Sequence, residues 1–150
     1  MTRGIALVRR PGPRLPDGQV ARPRPEPVDL DRALHQHAGY RDALGAAGWQ
    51  VVEAAPADDL PDATFVEDTA ALDAPVLLAP EPAGAALLLL GETRIGLSAA
   101  APRTGDLLAA HGLEPVTLDI GEFEALDAGP TCLSVLLPGA VRSSDGTVAG

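Results

Sequence analysis

The sequence predicts an α+β protein built from two copies of one supersecondary unit. Three observations carry this. Two distant stretches follow the same order: helix, glycine stop, strand, acidic loop, Asp-Ala turn, strand. The first starts at Asp42, passes Gly48 and reaches Leu60-Pro61-Asp62-Ala63-Thr64-Phe65-Val66-Glu67-Asp68. The second starts at Asp106, passes Gly112 and reaches Leu126-Asp127-Ala128-Gly129-Pro130-Thr131-Cys132. The apolar runs are short and bounded by turn signals, as strands are. Hydrophobic content is 46% but aromatics are only 3%, so the core must be Ala, Val and Leu. With the two Asp-Ala turns superposed, Cys132 falls on Glu67. A repeat arranged radially brings both to one central point.

Residues 4–8 read as a buried first strand. Residues 9–28 are rich in Pro and Arg, with Asp17-Gly18 as a turn, and show neither a helix nor a strand period. Locally they read as a surface loop. Residues 29–47 are the clearest helix. Asp29 or Asp31 can cap it, and Gly48 is a stop signal. Leu30, Ala33, Leu34, His37, Leu44 and Ala47 share one stripe at helical spacing. Gly39 within it costs about 1 kcal/mol relative to Ala. His35 lies off the stripe, in solvent. His37 lies on it and reads as a hydrogen-bonded histidine at the core's edge.

Residues 49–54 form the next strand, followed by an acidic loop over 57–62. Thr64-Phe65-Val66 leads to Glu67-Asp68 and a further apolar strand. Residues 87–90 and 94–98 read as a hairpin, with Gly91-Glu92 at its turn. Pro102 opens a second helix that ends at His111-Gly112, where a helix C-terminus favours a cation and His111 reads as a cap. Residues 114–120 are a strand and 121–126 a loop or short helical turn. Asp-Ala-Gly-Pro is then a turn signal that feeds Thr131-Cys132-Leu133-Ser134-Val135-Leu136-Leu137, read as a buried strand. Beyond Pro138 the tail is polar and Gly-rich and is expected to be poorly ordered.

The chain has 150 residues, which suits one domain or a piece of a larger one. Its eleven basic residues are all Arg and its net charge is −10. That balance argues against nucleic acid and anionic membranes and favours a cationic ligand, though it also serves plain solubility. A single Cys excludes an intrachain disulfide framework and fits a reducing cytoplasm. The first apolar run is too short for a signal peptide, and residues 83–90 fall far short of the roughly twenty needed to span a bilayer. There is no Gly-rich phosphate loop and no metal-ligand spacing, so neither a cofactor nor a metal is expected.

Two sets of residues are candidates for chemistry. Cys132 sits where a turn feeds a strand, so its thiol can face a cavity; the plain alternative is a small buried hydrophobe. Asp62, Glu67 and Asp68 are either solvated strand-end charges or a carboxylate pocket. Carboxylates meet a planar guanidinium in bidentate, charge-assisted pairs.

In combination, the Cys132 segment and the Leu60–Asp68 segment resemble the dimethylarginine dimethylaminohydrolase family. These are guanidine-modifying enzymes of the pentein superfamily, and the likeness covers most of residues 4–137. It implies an incomplete α/β propeller of ββαβ modules. The contracted domain would be residues 1–138, with a first module over about 1–78 and a last over 84–138, and 139–150 a flexible tail. It implies hydrolysis of dimethylarginine to citrulline and a methylamine. It also implies that Cys132 is the nucleophile, that Asp62 and Asp68 contact the guanidinium, that Glu67 lines the pocket, and that Leu15 sits on a flap that closes over substrate. Arginine deiminases and amidinotransferases use the same nucleophile chemistry.

The chain departs from the family in three ways. It passes almost directly from the Glu67-Asp68 strand to the Gly91-Glu92-Thr93-Arg94 segment, without the middle modules. Ala79-Pro80-Glu81 stands where relatives tend to show Arg-Pro-Gly. Neither the family's His-Leu-Lys-like segment nor its Glu-Ala-Gly-Asp segment, which supply acid–base catalysis, is found. A non-catalytic module that binds cations is therefore the rival expectation, as is a homo-oligomer in which copies complete a ring.

Overall fold

In a computed structural model, two three-stranded sheets share one hydrophobic core. The structure describes residues 2–20, 26–66, 79–139, 141–142 and 148–149. Strand β1 (Gly4–Val8) is followed by helix α1 (Leu30–Ala46) and strand β2 (Gln50–Glu53). Next come β3 (Leu88–Leu89), β4 (Arg94–Ser98), helix α2 (Pro102–Ala110) and β5 (Glu114–Leu118). Helix α3 (Gly121–Glu124), a 3-10 turn (Pro130–Leu133) and strand β6 (Ser134–Pro138) complete the main body. Two further strands, β7 (Val141–Arg142) and β8 (Val148–Ala149), pair antiparallel with each other, in a tail that otherwise lies outside the described residues.

The two sheets have one plan. The order β2-β1-β6 sets a parallel pair, β1 and β2, beside an antiparallel strand. The order β3-β4-β5 does the same with the parallel pair β4 and β5. Each parallel pair is bridged by a helix, as parallel strands require. The helix-then-strand order read twice from sequence is present as α1–β2 and α2–β5, the strand expected after Glu67-Asp68 lies outside the described residues, and the two sheets interlock. In the second sheet the antiparallel strand comes just before the parallel pair. In the first it is β6, from the far end of the chain. The result is a mixed α+β fold with small open sheets, and no sheet closes on itself among the described residues.

Helix α1 follows the expected pattern. The Asp29 carboxylate caps it by accepting a bond of 3.0 Å from the Arg32 N–H, and Gly48 ends it at φ +92°. Ala33, His37, Leu44 and Ala47 are buried, and His35 is exposed. Leu34 is only half-buried, while Gln36 and Tyr40 fill the core side that the stripe left open. Gln36 links the helix to the second sheet: its amide donates to Asp119 at 2.8 Å and its carbonyl accepts from the Glu122 N–H at 2.9 Å. At the other end the Trp49 indole donates to the Leu90 carbonyl at 3.1 Å. The main core runs continuously from Val8 and Tyr40 through Leu88 and Leu118 to Phe123 and Leu133. A smaller cluster of Ile95, Leu97, Ala101 and Leu108 seats α2 on its own sheet.

His37 departs from expectation. It is 2% exposed, and its Nε2 has no hydrogen-bond partner among the described residues. Burial above all lowers its pKa from 6.5 to about 4; Arg41 and Arg10 add to this, and Glu53 opposes it. The unfolded chain takes up this proton near pH 6.5 and the folded chain only near 4. Its contribution is therefore complete above pH 6.5 and is lost as pH falls toward 4, by on the order of 3 kcal/mol. Urea unfolding at pH 7 and pH 5 will show the wild type losing more stability between these values than His37→Phe. Equal losses in both proteins would refute this.

Glu81 caps α2 from outside the helix. Its carboxylate accepts from the Arg103 N–H at 2.8 Å, the Thr104 N–H at 2.9 Å and the Thr104 hydroxyl at 2.7 Å. Desolvation raises its pKa, but those hydrogen bonds and the Arg103 charge outweigh this and hold it below the ordinary 4.5. The cap therefore contributes above the ordinary carboxylate range and is lost as pH falls below it. Glu81→Gln should lower Tm at pH 7, with the gap to wild type narrowing as pH falls below 4; a constant gap would contradict an ionic cap.

Candidate active site

The carboxyl ends of β1 and β2 lie together, because the register pairs Val8 with Glu53. The antiparallel strand β6 begins at the same edge, with Ser134 opposite Val8. Three segments that carry site candidates therefore leave one end of the first sheet. These are the loop after β1, the acidic loop after β2, and the turn that precedes β6. Open α/β sheets tend to bind ligands outside the carboxyl ends of their parallel strands.

The first two segments are stitched together. The Ala54 N–H donates to the Val8 carbonyl at 2.7 Å. The Arg9 guanidinium donates to the carbonyls of Ala55 at 3.0 Å and Ala63 at 2.8 Å, and the Thr64 hydroxyl donates back to the Arg9 carbonyl at 2.9 Å. Arg14 reaches the Asp59 carbonyl at 3.1 Å. Further along, the Gln19 N–H donates to Asp62 Oδ1 at 3.2 Å. Among its described residues the loop after β1 contains one 3-10 turn (Leu15–Asp17), whose Leu15 is fully buried and part of the same main core as Leu126 and Leu133. Asp62 is half-buried on the acidic loop and bonded to the segment that carries Leu15.

Cys132 is a free, half-buried thiol packed against the same core. It does not lie on a strand, as its sequence suggested. Pro130 opens a 3-10 turn over Pro130–Leu133, the Cys132 N–H bonds to the Gly129 carbonyl at 3.1 Å, and the strand starts only at Ser134. The reason is local: Pro has no N–H to give a strand neighbour, and its fixed φ suits the first position of a helical turn. Gly129 approaches Ala86 so closely that a Cβ there would lie 2.6 Å from the Ala86 Cβ. Asp127, at φ +59°, is the one non-glycine residue in the left-handed region among those described, and it turns the chain from α3 toward the Cys132 segment. On the other flank, Phe65 meets Phe123 edge-on at 6.5 Å and ties the end of the acidic loop to α3.

Leu15, Asp62 and Cys132 are thus carried by segments at one end of the first sheet. Glu67 and Asp68 lie outside the described residues. None of the three histidines is part of the Cys132 turn: His37 is buried on α1, His35 is exposed, and His111 bonds through Nδ1 to the Leu107 carbonyl at 2.8 Å, at the end of α2. Among the described residues, no group of three or more His, Cys, Asp or Glu is arranged to hold a metal, and no helix is long and apolar enough to cross a membrane. Sequence reasoning passed over Tyr40, whose hydroxyl reaches the Cys132 turn. As the chain's sole tyrosine, three residues beyond His37 on the buried stripe, it was open to the same periodicity argument.

Because Leu15 is core-anchored, Leu15→Ala should cost about 2–5 kcal/mol in chemical denaturation. A loss below about 0.5 kcal/mol, as at unconstrained surface positions, would mean that Leu15 does not pack as seen.

No family model matches the chain. In sequence it is 28% identical to the N(G),N(G)-dimethylarginine dimethylaminohydrolase of Streptomyces coelicolor, over 248 residues covering 88% of the chain and 96% of that protein. The span exceeds the chain's 150 residues by 98, so at least that many positions of the relative have no counterpart here. In structure it resembles a dimethylarginine dimethylaminohydrolase variant in adduct with S-methyl-L-thiocitrulline, at a TM-score of 0.73 and 14% identity over 89% of this chain and 99% of that one. A mutant of the Pseudomonas aeruginosa enzyme complexed with citrulline gives a TM-score of 0.68 at 14% identity, covering 91% of this chain and 100% of the other. In sequence and in fold, the chain is thus similar to dimethylarginine dimethylaminohydrolases, at a shorter length than the relative it matches.

Proposed function

We propose that this chain is an amidine hydrolase of the dimethylarginine type, converting N-methylated arginine to citrulline and a methylamine. The observation that carries the reading is the match to such an enzyme across 96% of its length. The shared edge from which the Leu15, Asp62 and Cys132 segments leave supports it. In this reading Cys132 is the nucleophile, Asp62 and Asp68 pair with the guanidinium, Glu67 lines the pocket and Leu15 belongs to the segment over it. The fold is a contracted, incomplete pentein propeller over residues 1–138. A reducing, cytoplasmic setting suits the lone thiol.

The chemistry follows from the substrate. Its central carbon is cationic and resonance-stabilised, and a thiolate attacks it better than a hydroxyl does. A free thiol with a pKa near 8.5 needs a positive neighbour to ionise at pH 7, and the guanidinium supplies one. The S–C bond forms, the methylamine takes a proton and leaves, and a thiouronium remains. Water then adds, the S–C bond breaks, and citrulline and the thiol are regenerated. The carboxylates hold the cation by charge-assisted hydrogen bonds.

A second reading is favoured by the positions of the histidines. General acid–base catalysis is worth about 10²–10⁴ in rate, and no histidine is part of the Cys132 turn. A module that binds the cation without turning it over fits that arrangement. A citrulline assay with dimethylarginine on wild type and Cys132→Ser decides between the two. Slow turnover that is abolished by the substitution is expected. Ligand binding without turnover would establish the binding module, and no effect on either binding or turnover would remove Cys132 from the site.

A further inference from the structure

We propose that Tyr40 is a positioning residue for Cys132, strapping the turn that carries the thiol from both sides. The inference rests on the proposed function only in taking Cys132 as the nucleophile. Tyr40 comes from the middle of α1, some ninety positions away, and is 2% exposed. Its hydroxyl donates to the Pro130 carbonyl at 2.8 Å and lies 2.8 Å from the Ser134 hydroxyl. Pro130 stands two residues before Cys132 and Ser134 two residues after it, and Ser134 is fully buried. One phenol therefore clamps the first residue of the 3-10 turn and the first residue of β6, with Cys132 between them.

Proline contributes no N–H to the turn, and the Cys132 N–H to Gly129 carbonyl bond closes its start. A short 3-10 turn has poor hydrogen-bond geometry of its own. Loss of the phenol hydroxyl would remove a donor from the buried Pro130 carbonyl and a partner from the buried Ser134 hydroxyl. Because α1 is also held to the second sheet through Gln36, the strap references the thiol to a rigid element rather than to its own loop. A displacement of about 1 Å at a reacting group can cost on the order of a hundredfold in rate.

The test is hydrogen exchange at the Cys132 amide, read alongside steady-state kinetics, in wild type, Tyr40→Phe, Ser134→Ala and Trp49→Phe. The last removes a buried hydrogen bond of similar length just beyond the C-terminus of α1 and serves as a control for general destabilisation. Tyr40→Phe should speed exchange at Cys132 by about two- to tenfold, the factor one net hydrogen bond allows. It should also lower kcat with KM unchanged. Ser134→Ala should act in the same direction but less, and it remains informative if Tyr40→Phe does not fold. Trp49→Phe should leave both readouts at wild-type levels. Exchange at Cys132 that is unchanged in Tyr40→Phe, or raised equally by Trp49→Phe, overturns the strap. Faster local exchange in a protein whose wild type shows no turnover upholds the strap and overturns the hydrolase reading instead.

Discussion

The pairing of β6 with β1 is the constraint on which the remainder depends. It joins residues 134–138 to residues 4–8 in antiparallel register and makes β1 the central strand of its sheet. Without it, β1 and β2 would be a bare parallel pair, less stable per residue than an antiparallel one and open on both edges. The same register fixes where the turn before β6 must lie, beside the carboxyl end of β1 and the two loops that leave that end. Position in the fold thus does for Cys132 what no neighbouring sequence motif could: it carries a thiol near the end of the chain back to loops near its start.

Much of this was legible from residues alone, and the parts that were not share a cause. Local signals predicted the first strand, the Asp29 cap, the Gly48 stop, the hairpin around Gly91 and the second helix with His111 at its end, and the structure contains all of them. Each depends on neighbours within one turn or one hairpin. The Cys132 segment misled because Leu133–Leu137 is apolar enough to extend the strand backward, whereas Pro130 imposes a helical turn on the residues just after it. Gln36 and Tyr40 were passed over on a stripe judged by hydropathy, since their burial is justified by hydrogen bonds to residues more than eighty positions distant. Of the candidate site, the sequence indicated which residue types and segments to watch, but nothing short of the sheet register could show that these segments leave one edge.

Glu81 shows how a helix without a capping residue of its own can be capped from outside. In the segment Ala79-Pro80-Glu81, which stands where the family resemblance implies Arg-Pro-Gly, Ala79 takes the place of the Arg, and the Glu81 carboxylate is engaged with the N-terminus of α2. A carboxylate among backbone N–H groups at a helix start is well placed against the helix dipole. Those three hydrogen bonds commit the carboxylate to the helix start and hold the segment before α2 against it.

The interlocked strand order also governs how the polypeptide reaches its native state. A polypeptide leaving the ribosome from its N-terminus presents β1, α1 and β2 long before β6 exists. Its first sheet must wait, incomplete, until nearly the whole of the described body has been synthesised. Contacts between such distant segments slow the search for the native topology, and an unpaired strand edge is exposed to neighbours meanwhile. An edge of β1 that stays unpaired during synthesis is the vulnerability that this strand order builds in.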